Sequence, residues 1–431
     1  MSNVFRVFPN DGIPPFVDRA EGLYIHTQDG RKLLDTTAGS TSFSVLGWSH
    51  PQVLDAMREQ MTRFTHMDYK VWSDQNVEDL ATLLVSKAEH GLNRVYFAGN
   101  SGAEACEAAM KMSFQVHFDL GKKEKTWFIS REQSYHGSTL DALAMGERPN
   151  LAFYNPLLPR NRAKVSQHHP LHMMHAGETL DDYAKRSAKE LEDKILQIGP
   201  EKVCAFVGET IMGGLVGDVP PAPNYWKYIR EVCDKYDVHL ILDEVYCGTG
   251  SSGKVYCCDW DGITPDFIFM GKTMAAGYAP ISAVITSDKI LDVIKGYQGR
   301  LQHTTTHQAY SLGVAASLAV QKITHDDAML DHIYQTGKYF RKVLRDELGQ
   351  HPFFYDVRGR GLRFSIEYKC DRQPEFGMAL QQEMEQEHNI LINGKWHRVC
   401  FTPAFIISRE QADLVLDKFV SSFKKIAKDW K

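Results

Sequence analysis

The sequence predicts an α/β fold, a large domain on a mostly parallel sheet covered by helices, joined to a smaller α+β domain. Three observations lead there. The 431 residues exceed what one hydrophobic core usually supports. From about residue 90 to 300, short apolar runs alternate with helix-patterned stretches, the pattern of βαβ units. Beyond residue 308 the alternation stops, and a long helix pattern, two strand-like runs and a terminal amphipathic helix follow.

Residues 15–35 (PFVDRAEGLYIHTQDGRKLLD) alternate in polarity, with turn chemistry at Glu21-Gly22 and Asp29-Gly30, which predicts a small antiparallel hairpin. Strands are expected at 94–97 (RVYF), 125–130 (KTWFIS), 203–207 (VCAFV), 238–242 (VHLIL), 266–270 (DFIFM) and 281–285 (ISAVI). Helices are expected at 103–120, 181–198 and 224–236, where apolar residues recur every three or four positions. The C-terminal part offers a helix at 308–325, the runs RGRGLRFSIEY and HRVCFTPAFIIS as strands, and a helix from Arg409. Three parts result: an N-terminal segment, 1–60, contributing to the small domain and the cavity entrance; a large domain, 61–307; and a small α+β domain, 308–431. The charged, proline-poor joins between them predict firm packing with a cleft.

Composition narrows the function. With 43% apolar and 24% charged residues, the chain is an ordinary globular protein. Its 49 basic and 54 acidic side chains give a net charge of −5, no field for nucleic acid or anionic membrane. No apolar run reaches membrane-spanning length and no signal-like segment opens the chain, so a cytoplasmic protein acting on small molecules is expected. The eight cysteines lack CxxC spacing and read as buried, reduced thiols, the adjacent Cys257 and Cys258 included. His168, His169, His172 and His175 in QHHPLHMMH invite a metal, but Pro170 interrupts any helix and no carboxylate pattern accompanies them, so no metal is expected.

Open parallel sheets bind ligands beyond the carboxyl ends of their strands. RVYF leads into AGNSGAEACEAAMK, where Gly99, Asn100, Ser101 and Gly102 form a tight loop before a helix, a place for a phosphate or simply a turn. VHLIL ends in Asp243-Glu244 and DFIFM in Gly271-Lys272, a carboxylate and an amine at one sheet edge. They could form a salt bridge. Alternatively, a buried lysine with a lowered pKa is a nucleophile toward carbonyls, and together with an acid and a phosphate cradle it points to pyridoxal phosphate.

The chain resembles the class III aminotransferases, or omega-aminotransferases, of the fold-type I pyridoxal-phosphate enzymes. The resemblance runs from DRAEGLYIHTQDGRKLLD through GNSGAEACEAAMK, SYHGST, ILDEVYCGTGSSG and MGKTMAAGYAPISAV to VRGRGL and TPAFIIS. It implies that Lys272 carries the cofactor as a Schiff base and later moves a proton, and that Asp243 keeps the pyridine nitrogen protonated. It implies backbone contacts to the phosphate at Ser101, Gly102 and Ala103, ring stacking by Tyr135 with His136 close behind, support from Glu209, and Val245 on the other ring face. Thr306 matches a threonine that reaches the neighbouring subunit's phosphate, which implies a homodimer with shared active sites.

The resemblance further implies transfer of an amino group from a primary amine or omega-amino acid to an oxoacid by a ping-pong cycle. An aminomutase of the glutamate-1-semialdehyde type, an epimerase or a decarboxylating transaminase would keep the same cofactor residues, and a non-catalytic cofactor-binding protein is the reading from another class. Members acting on ornithine or 4-aminobutyrate carry a glutamate that gates an arginine; Gly214 and Cys400 stand at those positions here. Arg398 lies two residues from Cys400, on the same strand face, as a candidate carboxylate ligand. Thr41 and Phe43, in AGSTSFSVLGW, match a region lining the substrate side.

Overall fold

The computed structural model describes residues 3–8 and 10–430. An antiparallel meander opens the chain, β1 (Val17–Glu21), β2 (Tyr24–Thr27) and β3 (Lys32–Asp35), followed by helices α1 (Pro51–Arg63) and α2 (Gln75–Ser86). Next come β4 (Arg94–Gly99), α3 (Gly102–Asp119), β5 (Trp127–Arg131), α4 (Leu140–Met145), β6 (Arg162–Val165), α5 (Pro170–Met173), α6 (Leu180–Ile198) and β7 (Val203–Glu209). The middle of the chain ends with α7 (Tyr225–Lys235), β8 (His239–Asp243), β9 (Phe267–Met270), β10 (Ser282–Thr286) and α8 (Asp288–Tyr297). The C-terminal part holds α9 (Ser311–Thr324), α10 (Asp327–Leu348), β11 (Phe354–Arg360), β12 (Arg363–Tyr368), α11 (Gln373–His388), β13 (Ile390–Leu391), β14 (Asn393–Lys395), β15 (Arg398–Phe401) and α12 (Arg409–Asp429).

The central sheet has the order β4-β10-β9-β8-β7-β5-β6. Only β10 runs antiparallel, against both β4 and β9. The strands are apolar throughout because both faces are covered. On one face Ala105, Ala109 and Met112 of α3 pack on Ala205, Val207, Ile241 and Phe269. On the other, Leu191 of α6 and Trp226 and Ile229 of α7 share a core with Phe206, Leu240, Leu242 and Ile268. Alternation along each strand sends successive side chains to the two cores.

Several expectations shift. The hairpin becomes three strands, because turns fall at both Gly22 and Gly30, and β13 adds parallel to β3. RGRGLRFSIEY is not one strand: it folds back at Gly361, whose φ is +56°, so that β11 and β12 pair antiparallel. In HRVCFTPAFIIS only Arg398–Phe401 is strand; past it the backbone turns to the N-terminal segment, Thr402 N donating to Thr36 O and Phe405 N to Val45 O. Strand β6 (RAKV) was not expected, being short and charged. Helix α9, which opens the 308–431 segment, packs on α1 and α2, and its Ser317 Oγ and Gln321 Nε2 both donate to Met274 O. It therefore braces the turn that carries Lys272. No helix of the described residues is long and apolar enough to cross a membrane.

Candidate active site

A cavity of about 850 Å³ opens where β4, β7, β8 and β9 end. Its lining includes Ser101, Gly102, Ala103, Tyr135, His136, Glu209, Asp243, Val245 and Lys272. Paired register explains part of this: Glu209 and Asp243 are opposite one another on β7 and β8. Their side chains therefore leave the sheet on the same side, at the same edge.

The two carboxylates are held differently. Asp243 Oδ1 accepts the Val245 amide at 2.9 Å, and Oδ2 lies 2.8 Å from His136 Nδ1. Both oxygens keep a lone pair. Glu209 accepts the amides of Tyr135 at 3.1 Å and Gly213 at 3.0 Å, so it ties two loops to the strand end. Burial pushes its carboxyl up; His136 opposes this and the charge on Asp243 adds to it. The His136–Asp243 pair was missed in the sequence, which placed His136 only behind Tyr135; an imidazole one residue from a ring-stacking position carries no sequence mark of its partner.

Lys272 follows β9 with φ at +35°, an uncommon conformation for a side-chain-bearing residue. Its Nζ sits 5.9 Å from the Tyr135 ring centre and 5.6 Å from that of Tyr246. It makes no hydrogen bond or ion pair with another described residue. The salt bridge to Asp243 that spacing left open is absent among the described contacts. Burial pushes the amine below the usual lysine range, with Asp243 opposing and Arg363 reinforcing the effect. A neutral amine is the nucleophilic form.

The α3 N-terminus carries a capping box. Glu104 accepts the Asn100 and Ser101 amides at 2.6 and 2.9 Å, which leaves the Gly102 and Ala103 amides facing the cavity as donors at a helix start. A Cβ on Gly102 would stand 2.7 Å from Val245, so glycine alone lets Val245 close over this end. A buried acid with free lone pairs, an unpartnered amine, free helix amides, and Tyr135 and Val245 as flat and branched walls match the donor set pyridoxal phosphate needs.

Other expected residues lie elsewhere. Thr41 lines the cavity, but Phe43 does not: its ring fills the space beside Gly39 and Gly277 and meets Trp48 edge-on at 6.1 Å. Arg398 is fully buried outside the lining, its Nη2 donating to Gly214 O at 2.9 Å and Leu215 O at 2.6 Å. The guanidinium shapes the wall and does not enter the cavity. Thr306 is exposed and outside this chain's cavity. His168 is a core residue, stacked 3.7 Å from Tyr225 and accepting the Ala222 amide. Gly214 and Cys400 both line the cavity, as do Arg148, Tyr246, Asn393 and Lys395, four residues the sequence reading missed. Tyr246 could have been found from its place at the end of DEVY, beside the sheet-edge acid; the others belong to loops and a three-residue strand.

The model of the class III aminotransferase family matches residues 8–423. The chain belongs to the class III aminotransferases. An uncharacterized aminotransferase of Schizosaccharomyces pombe is 35% identical, over 96% of this chain and 93% of the relative. Gamma aminobutyrate transaminase 2 of Solanum lycopersicum is 30% identical, over 96% and 92%. Among solved structures, the omega transaminase of Pseudomonas jessenii in complex with PMP superposes with a TM-score of 0.90 at 28% identity, covering 96% of this chain and 93% of that one. This class III aminotransferase thus uses pyridoxal phosphate and has the α/β architecture expected from its sequence.

Proposed function

We propose that this aminotransferase takes the amino group of a primary amine or omega-amino acid bearing an anionic group and passes it to an oxoacid in two half-reactions. The observation that carries this reading is the pairing of an unpartnered Lys272 with the Asp243–His136 couple in one cavity. When bound, pyridoxal phosphate supplies a carbonyl that condenses with amines and a ring that accepts the resulting electron pair. Lys272 would hold that carbonyl through Nζ and, as a buried amine, would move the proton between the reacting carbons. Asp243 holds a proton at the pyridine nitrogen with the lone pairs that Val245 and His136 leave open. The Gly102 and Ala103 amides bind phosphate, Tyr135 and Val245 fix the ring plane, and Glu209 holds the Tyr135 and 213 loops in place. A ring held in this way would let the bond to be broken stand perpendicular to its plane, which favours that cleavage over the others.

The missing Glu–Arg pair shapes the substrate reading. Gly214 and Cys400 leave room, and the Lys395 side chain lines the cavity with no ion pair among the described residues. Lys395 is close enough for its charge to lower the Lys272 pKa. It therefore serves as the anchor for the donor's anionic group. Thr306, exposed and outside its own cavity, supports a homodimer in which Thr306 of the partner subunit completes the phosphate site.

The test is spectral. The purified protein is titrated with single amines in the absence of oxoacid; a donor bleaches the cofactor band and pyruvate or another oxoacid restores it. Product formed from amine alone, with no acceptor consumed, would overturn aminotransfer in favour of an aminomutase.

A further inference from the structure

Two clusters of metal-ligating side chains lie outside the cavity, at His169, His172 and Glu367, and at His90, Cys258 and Asp259. In the first, Glu367 is already engaged: Oε1 lies 2.7 Å from His172 Nε2, and Oε2 lies 2.5 Å from Arg358 Nη1. A guanidinium on the carboxylate repels a second cation. The other cluster has no such neutralising group.

We propose that His90, Cys258 and Asp259 form a binding site for one thiophilic divalent cation of the zinc type. One potential ligand atom from each, a ring nitrogen, the thiol sulfur and a carboxylate oxygen, lie within 4.8 Å of one another. All three residues are buried, at 5%, 0% and 7% exposure, and the thiol is free. His90 Nδ1 accepts the Leu92 amide at 3.1 Å, so Nε2 is the nitrogen available, and it is buried without a partner. Asp259 Oδ1 is likewise buried and unpartnered. Leaving two polar atoms, an imidazole nitrogen and a carboxylate oxygen, unsatisfied in an interior is costly, and a shared cation removes that cost.

The nearest lysine does not serve this purpose. Lys254 Nζ bonds Glu89 Oε2 at 2.8 Å and the Asp259 main-chain carbonyl at 3.2 Å, not the Asp259 carboxylate. Nitrogen, sulfur and oxygen ligands together suit zinc better than calcium or magnesium. On binding, the Cys258 S–H proton leaves to solvent as the sulfur–metal bond forms. The cation's two positive charges then face one thiolate and one carboxylate, with the Glu244 carboxyl close enough to act on both.

The site has a consequence for the cavity. His90 follows α2, whereas Cys258 and Asp259 belong to the turn Cys257–Trp260. The Cys257 and Cys258 amides donate to Glu244 at 2.7 and 2.8 Å, and Glu244 is the residue after Asp243. The cation would fasten the turn that holds Glu244, the neighbour of Asp243 in the chain, to the segment that follows α2. Spacing rules could not show this, because His90 and Cys258 come from distant parts of the chain.

The experiment is cobalt(II) titration of the cofactor-loaded protein after chelator treatment and chelator removal. Saturable d–d absorption in the red, clear of the cofactor band, is expected at one cobalt per chain, together with a raised melting temperature. Cys258→Ser should weaken cobalt binding by at least about 100-fold, with the cofactor spectrum retained, while His172→Gln binds as the wild type does. If Cys258→Ser does not fold, His90→Gln takes its place with the same expectation. Absence of saturable binding in the wild type, unchanged binding in the folded Cys258→Ser or His90→Gln protein, or loss of binding in His172→Gln overturns the assignment.

Discussion

The cofactor edge of the cavity and its substrate-side wall are held by different kinds of structure. Asp243, Glu209 and Lys272 continue or directly follow strands whose two faces are packed by α3 on one side and α6 and α7 on the other. Gly214, Leu215, Lys395 and Cys400 come from a loop and two short strands of another sheet, and the loop is held by side chains. Arg398 grips the Gly214 and Leu215 carbonyls, and Arg358 Nη2 donates to Val216 O at 2.9 Å. Strand ends position the acids and the lysine, whereas arginine-to-carbonyl clamps hold the other wall of the cavity in shape. Changes at the first should cost turnover for every donor; changes at the second should discriminate among donors.

The largest effect is expected from Lys272→Ala. Turnover should fall by about 10³-fold or more, the range for loss of a proton-transferring group, and the lysine-dependent cofactor band should vanish from a protein that melts normally. A wild-type band in that variant would break the cofactor side of the comparison. Asp243→Asn should lower kcat/KM by about 10²–10³-fold, as expected when a charge aimed at the reacting group is removed, and to a similar extent for all donors; a donor-selective loss would contradict its place on the chemical edge.

Arg398→Met tests the clamp. It takes the guanidinium donor from two half-buried carbonyls, at a cost of about 2 kcal/mol in denaturant unfolding, and should raise KM more than it lowers kcat. Equal stability with unchanged KM would show that the wall does not depend on that grip. Lys395→Gln should raise KM about 10-fold for a carboxylate-bearing donor, roughly one lost charge-assisted contact. A neutral amine should be unaffected, and an equal loss for both would remove Lys395 from specificity.

The smallest effect lies away from both regions. Buried His117 donates its Nε2–H to Cys204 O at 3.1 Å, and burial pushes its imidazole down to about 3. Folded, it stays neutral while the unfolded chain takes up a proton below about 6.5. Its stabilisation is therefore whole above 6.5 and is lost as pH falls toward 3. His117→Asn should reduce the acid-side slope of unfolding free energy between pH 6 and 4 by about 1.4 kcal/mol per pH unit, with activity unchanged. An unaltered slope would show that His117 is protonated in the fold.

Legibility followed the same division. Asp243 and Lys272 could be read because apolar runs end in polar residues at one sheet edge, and the start of α3 because the tight 99–102 loop precedes it. The fold back at Gly361 was less legible, since RGRGLRFSIEY reads as one run until the positive φ at Gly361 reverses it. Phe43 read as a substrate residue because a large apolar side chain in a loop gives no sign of whether it faces a cavity or a pair of glycines. Arg398 misled for a similar reason: strand alternation gave the face, and the carbonyls waiting on that face belong to the 213–217 loop.

By itself the sequence determined the α/β class, the six apolar strands of the central sheet in chain order, the apolar cores on both sheet faces and the chemical groups at the strand ends, because all of these follow from local periodicity and from which residue ends each run. Tertiary structure alone decided that His136 holds Asp243, that α9 braces the Lys272 turn, that Lys395 and not Arg398 faces the cavity, and that His90 meets Cys258 and Asp259. Each of these joins residues far apart in the chain, and long-range contact depends on how packed elements place side chains in space, which no spacing along the sequence encodes.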